Sequence, residues 1–372
     1  MSSRLRSCHL SRFPVLLTFP PVVLFVLLIP AGAQESATKP ANSAMSATEL
    51  QSLRDKAESG DPAAQFSLAQ AYDFGTGVTQ NDAQAYFWCR KAAEQGYPQA
   101  QNSLGVMYRA GRGVEQSKEQ AVEWYRNAAR QGLAKAMFNL GTAYFNGDGV
   151  SVSDTTAYAW FLAAKEHGSD SGRDAVDRMS KTLQPWQVSE ASGLLAEIYE
   201  KGTELPPDSS AAGNWYRNSA AVGEPAARVK LAQFLIRQGG DQNYREALSS
   251  CEHAAKDSYP PAAMCAGYLH EKGLGTTADL NQAAQWYNKS AQLGNALAMQ
   301  RLAEMYWDGL GMKQDRVTAY MFALLASTAE LPDAQRDREA FEKTLSSKEI
   351  EKGKKQAANW MKAHHPTILI KH

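Results

Sequence analysis

Few residues in this chain are spaced for chemistry. Ser36 and Lys39 stand three apart, a serine-hydrolase spacing in which a lysine amine can activate a hydroxyl, but no companion Ser-Asp-Asn or Lys-Thr-Gly element follows. His364 and His365 could offer imidazole nitrogens to a metal ion, yet they lack carboxylate or thiol partners at ligand spacing and read as a solvated tail. No His-Glu-x-x-His, phosphate loop or nucleophile elbow is present. The expectation is a protein that is not an enzyme, with no catalytic residue, no metal and no cofactor.

The elements that would have to position such residues are dominated by a 36-residue step. It separates Gly75, Gly111 and Gly147, and likewise Trp88, Trp124 and Trp160. Ala64, Ala100 and Ala136 keep the same step, as do Gly96, Gly132 and Gly168. A repeat of this length marks an array whose units bury their apolar faces only by stacking on one another. In each unit a helix A carries Ala, Leu and Tyr four apart, as in Ala100-Leu104-Tyr108, on one face. A Gly-x-Gly-Val loop follows, its first glycine suited to a left-handed helix cap. Helix B opens on Asn81, Ser117 or Ser153 as N-cap and places Ala85, Trp88 and Ala92, or their equivalents, inward. The repeat tryptophans and tyrosines are expected in the core.

A second relation, at an offset of 162, links Trp124-Tyr125 to Trp286-Tyr287 and Gly111 to Gly273. It extends to Lys181-Thr182-Leu183 and Lys343-Thr344-Leu345, so each half ends in a segment that departs from the step. The expected organisation is a signal peptide over 1–33, a linker over 34–47, three units over 48–168 and a helical connector over 169–190. A second block of about four units spans 191–330, and capping helices with a tail span 331–372. The units near 191–223 and 224–258 lack parts of the loop motif, and irregular stacking is expected there.

Arg4, Arg6 and Arg12, the apolar run Val15 to Ile29 and Ala31-Gly32-Ala33 have the order of a secretory signal cleaved after Ala33. The apolar run is 15 residues and contains Pro20 and Pro21, short for a span that needs about 17–25. A retained anchor is the alternative. Of 39 basic residues 36 would remain against 39 acidic, so no basic face for nucleic acid is indicated. A periplasmic or secreted location follows, with no stable membrane span after cleavage.

The motif set Leu104-Gly105, Tyr108, Gly111-x-Gly113-Val114, Ala121, Trp124-Tyr125, Ala128-Ala129 and Gly132 resembles the Sel-one-like repeat family, a branch of the tetratricopeptide-type α-solenoids. The resemblance implies an all-α, right-handed α-solenoid of antiparallel helix pairs, with about seven repeats. It also implies an adaptor or regulator that binds a peptide or protein of the cell envelope in a concave groove lined by helix A. On that resemblance Arg109, Phe145, Tyr268 and Trp307, which vary in chemistry at matched helix A positions, are candidate ligand contacts. Packing under their loops is the alternative for Phe145 and Trp307. Some secreted members are β-lactamase-like or bind cell-wall fragments, a second functional possibility.

Cys251 and Cys265 lie about one helical turn on either side of a connecting turn and should face each other. In an oxidising compartment that favours a disulfide, as in secreted family members; two buried thiols are the alternative. Cys89 then remains as a core thiol.

Overall fold

The computed structural model describes residues 45–364. The expected signal and most of the linker, with Cys8, Ser36, Lys39 and His365, lie outside the described residues. Among those described there are eighteen α-helices, one 3-10 turn and no strand.

The helices are α1 (Ala47–Glu58), α2 (Pro62–Phe74), α3 (Asp82–Glu94), α4 (Pro98–Ala110), α5 (Lys118–Ala129), α6 (Ala134–Asn146) and α7 (Asp154–Glu166). They continue with α8 (Asp170–Met179), α9 (Pro185–Lys201), α10 (Ser209–Ala221), α11 (Pro225–Gln238), α12 (Asp241–Ala254) and α13 (Pro260–Lys272). The last are α14 (Leu280–Gln292), α15 (Ala296–Asp308), α16 (Arg316–Ser327), α17 (Pro332–Glu342) and α18 (Ser347–His364). Seven A–B pairs stack in order, from α2–α3 to α15–α16, making an α-solenoid.

Local chemistry sets the ends. Asn81, Ser117, Ser153, Asp208, Asp279 and Asp315 each accept a backbone N–H of the first turn of a helix B. Helix A ends on a left-handed glycine, as at Gly111 with φ of 69°. The second loop glycine has a different task. A Cβ at Gly113, Gly149 or Gly311 would collide with the carbonyl that opens the preceding helix B, at Asp82, Lys118 or Leu280. These glycines are therefore the points where one unit seats on the last.

A third glycine works inside the pair. A Cβ at Gly105 would stand 2.6 Å from the Tyr125 ring, at Gly141 2.6 Å from Phe161, and at Gly267 2.5 Å from Tyr287. The aromatic ring lies directly on the helix A backbone. Where helix B carries a small Cys89 or Cys251 instead, helix A carries Ala69 or Ala232. The fourth unit departs: Ala196 is the helix A residue, and the Tyr216 ring lies 5.1 Å from Phe234.

The tryptophans require a correction. Trp88 and Trp160 are buried, but Trp124, Trp215 and Trp286 are only half-buried. The residue after each, Tyr125, Tyr216 or Tyr287, is the one enclosed. One residue turns about 100° around a helix, so just one of two neighbours can face helix A. Buried residues form four clusters, and half-buried Tyr108 and Trp286 each pack against two of them.

The domain boundaries also shift. The limit expected between 190 and 191 falls inside the continuous helix α9, because Pro185 at its first turn already starts the helix. The 162-residue relation covers more than the repeat motif: α1–α9 and α10–α18 match helix for helix. The extra helix α8 makes α9 run parallel to α7, so Tyr199 near the end of α9 meets Glu166 at the end of α7. Helices α17 and α18 pack on α16 in the same way as α8 and α9 on α7.

Candidate interaction surface

The sequence reading singled out the residue two before the capping glycine of helix A. The structure gives each copy of that position a different local job. Asp73 accepts from Arg112, and 36 residues on the signs reverse: Arg109 Nη1 lies 3.9 Å from Asp148, which Lys118 holds at 2.6 Å. Phe145 is half-buried against the core. Trp307 lies face to face with Phe341 of α17 at 3.9 Å, with the Arg316 guanidinium 5.2 Å from its ring centre. Its ring is thus taken up within the chain, by α17.

Sequence reasoning passed over Glu200 and Glu271, which occupy the same position in α9 and α13. Glu200 accepts the Tyr216 hydroxyl at 2.7 Å and Arg237 at 2.7 and 3.0 Å. The Glu271 side chain is only 6% exposed and is fully satisfied. Arg301 donates to both its oxygens at 2.8 Å, and Lys272 and the Tyr287 hydroxyl each donate at 2.8 Å. Burial alone would raise its pKa, but the hydrogen bonds from Arg301, Lys272 and Tyr287 outweigh it and hold the carboxyl down at about 2. Burial and the same carboxylate push the Tyr287 hydroxyl up, so it stays a donor. This is an ionic clamp across α13, α14 and α15. The 36-residue step back from Trp307 could have located Glu271, and the glycine two residues on, Gly202, could have located Glu200.

Tyr268 differs from these. It stands 39% exposed on α13. At the matching place Thr142 is buried on its own Phe138 carbonyl, and Glu304 pairs with Arg301. Arg109 and Phe145 lie on successive A helices, α4 and α6, and Tyr268 and Trp307 on α13 and α15. The two pairs sit in different halves. Five exposed apolar residues escaped the sequence reading, Phe87, Val152, Trp186, Leu310 and Met361, of which Val152 at 65% and Trp186 at 53% are the most exposed. Trp186 stands off the 36-residue step, beside Pro185, which was the available signal.

Cys251 and Cys265 form a disulfide between α12 and α13, with Cα atoms 5.9 Å apart. Cys251 occupies the buried place that Tyr125 and Tyr287 fill elsewhere, and from there it bonds forward to helix A of the next unit. Burial pushes the Cys89 thiol up to about 12, which keeps it protonated and a poor nucleophile. Among the described residues no group of three or more His, Cys, Asp or Glu is placed to hold a metal ion. His364 stacks on Trp360 at 4.5 Å. No helix of the described residues is long and apolar enough to cross a membrane.

The geometry of seated glycines, caps and paired helices is that of an α-solenoid. The Sel1 repeat pattern matches residues 62–97, 98–133, 134–169, 189–223, 261–295 and 296–330, more than half of the 372 residues. The chain belongs to the Sel1 repeat family. Sel1 repeat proteins generally mediate protein–protein interaction and are typically non-catalytic. The chain is 28% identical over 113 residues to the chitin synthase regulator SKT5 of Saccharomyces cerevisiae, covering 29% of this chain. It is 30% identical over 100 residues to the uncharacterized protein NMB1327 of Neisseria meningitidis, covering 26% of this chain. The matches span only 16% and 21% of those relatives' lengths. Among solved structures it is similar to c5321, a protective antigen of uropathogenic Escherichia coli with an SLR fold. That likeness has 28% identity over 86% of this chain and 72% of the other, at a TM-score of 0.45. A Sel1 repeat protein of Oxalobacter formigenes is 24% identical over 86% and 91%, at a TM-score of 0.41.

Proposed function

We propose that this protein is a non-catalytic scaffold or regulatory adaptor of the cell envelope, which holds a peptide or protein segment along its A helices. The observation that carries the reading is the contrast between two kinds of position. Spine residues keep their type from unit to unit, while the helix A ends change chemistry through Arg109, Phe145, Glu200, Glu271 and Trp307. Glu200, Glu271 and Trp307 spend that variety on contacts within the array, whereas Tyr268, at the second variable helix A position, faces solvent. Arg109, Phe145 and exposed Tyr268 are the proposed anchors, since aromatic and arginine side chains concentrate binding energy. Trp307 joins the packing residues. The yeast relative is a regulator of an enzyme, which supports adaptor work. The signal-like N-terminus and the disulfide support an oxidising location outside the cytoplasm.

Affinity capture from the native envelope tests this. A partner held by the wild-type chain and lost with Phe145→Ala and Tyr268→Ala, at unchanged thermal unfolding, is the expected result. Equal capture by folded variants would remove the helix A face from the reading. Mass measurement of the exported chain checks cleavage after Ala33.

A further inference from the structure

Helix α18 is the last described helix, and its two sides are chemically opposite. Gly353 and Ala357 are buried on α16, with Ile350 and Trp360 half-buried beside them. Facing away are Lys348, Lys352, Lys355, Asn359 and Lys362, all exposed. At about 100° per residue the five fall within a sector of about 80°, centred across the helix from the buried side. The acids of this helix are engaged elsewhere. Glu349 accepts the Ser346 backbone N–H and hydroxyl at 2.9 and 2.6 Å, and Glu351 pairs with Lys354 at 3.2 Å. None of the four stripe lysines forms an ion pair among the described residues. Lys352 lies within electrostatic reach of Asp315 and Glu349, and Glu351, paired with Lys354, borders the stripe.

Solvation of an end helix does not explain one sign of charge. In α9, the matching sector 162 residues earlier reads Trp186, Glu190, Gly193, Glu197 and Glu200. There Glu197 takes Lys230 at 2.9 Å and Glu200 takes Arg237 at 2.7 Å, both from α11. The sector is acidic and paired inside the array, basic and unpaired at its end. A terminal cap needs polarity of either sign.

The residue type indicates the occupant. Protein interfaces favour arginine and aromatic anchors and are depleted of lysine. Four lysines along about 21 Å of straight helix can reach a flat surface together. A layer of anionic headgroups is such a surface, and juxtaposed lysines bind it additively. We propose that α18 lays this lysine stripe on an anionic phospholipid bilayer, fastening the C-terminal end of the array to a membrane. The contact is peripheral, because the apolar side of α18 is committed to α16. It does not depend on what occupies the A helices.

Vesicle co-sedimentation of the full chain tests this. The probes are phosphatidylcholine vesicles and vesicles of phosphatidylcholine and phosphatidylglycerol in equal parts, at low salt. The wild-type chain should prefer the anionic vesicles and leave them at high salt. At about five-fold per lysine, K352E/K355E should lower partitioning at least about 25-fold. The control K165E/K181E changes net charge equally at exposed sites flanking α8 and should bind as wild type; all share one N-terminus, so the difference isolates the stripe. Equal partitioning of the two variants would overturn the proposal, as would no preference for phosphatidylglycerol. Capture of poly-L-glutamate that depends on the stripe, without vesicle binding, would assign it to an acidic polypeptide and also overturn the lipid reading.

Discussion

The joint between the halves and the first and last described helices are built from matched elements. At the joint, α9 receives α10: Ser189 and Ser219 exchange hydroxyl–carbonyl hydrogen bonds at 3.0 and 2.6 Å, Gly193 lies beneath Ser219, and the Tyr216 hydroxyl reaches Glu200. The counterparts at the ends, 162 residues away, are α18 and α1. There Glu351 replaces Ser189, Lys355 replaces Gly193, Lys362 replaces Glu200, and Arg54 stands for Tyr216. Two cations would meet where a hydroxyl meets a carboxylate. The same helix pair therefore continues the array once and stops it once, by changing a few side chains on one face.

The interiors of the halves differ as well. Gly141 and Phe161 in the first correspond to Ala303 and Ala323 in the second. Arg109 corresponds to the clamped Glu271, and the amide pair Asn102–Asn139 at 2.8 Å corresponds to Met264 and Arg301. Cys89 and Ser103 correspond to the bridged Cys251 and Cys265.

The comparison can be broken most forcefully at Phe161. Phe161→Ala should cost about 3–5 kcal/mol of stability in chemical unfolding, since the ring is fully buried. A loss below 1 kcal/mol would show that the first half does not rely on its ring. Reducing Cys251–Cys265 should cost about 3 kcal/mol in the chain-entropy view. Ser103→Cys should close the matching bridge with Cys89, seen as the loss of the chain's titratable thiols in 89 and 103 under oxidising conditions. Persistence of both thiols would mean the two halves are not superposable at this point.

Gly141→Ala should destabilise by about 1–3 kcal/mol through overpacking against Phe161. Ala303→Gly in the other half should cost about 1 kcal/mol, from helix propensity alone. Equal effects would erase the distinction between a ring-bearing and a ringless pair. The largest pH response should come from Glu271 in the second half. Glu271 has a folded pKa of about 2, below its ordinary 4.5, so its contribution is complete above pH 4.5 and fades as pH falls toward 2. Glu271→Gln should flatten that acid limb of thermal stability, whereas Arg109→Gln should leave it unchanged. The smallest effect is expected at the ends. Arg54→Tyr with Lys355→Gly and Lys362→Glu should allow weak, concentration-dependent association by sedimentation, absent in the wild-type chain.

Most helix starts and stops were legible in the sequence, because Asn81, Ser117 and Asp279 act on the backbone beside them. The helix A glycines were legible as a pattern but not as a reason, since the ring that demands Gly105 comes 20 residues later. Trp124 was misplaced because sequence spacing marks a helical stripe but not which of two adjacent residues lies at its centre. Glu271 was missed because its partners, Arg301 and Tyr287, come from two other helices.

The amino-acid order by itself determined the step, the caps and the duplication, since turn geometry and capping hydrogen bonds close within a few residues of chain. Which aromatic is enclosed, which carboxylate is clamped, and where the array ends were decided only when helices distant in sequence met. Burial and ion pairing belong to a surface and its neighbour, and no single segment contains both.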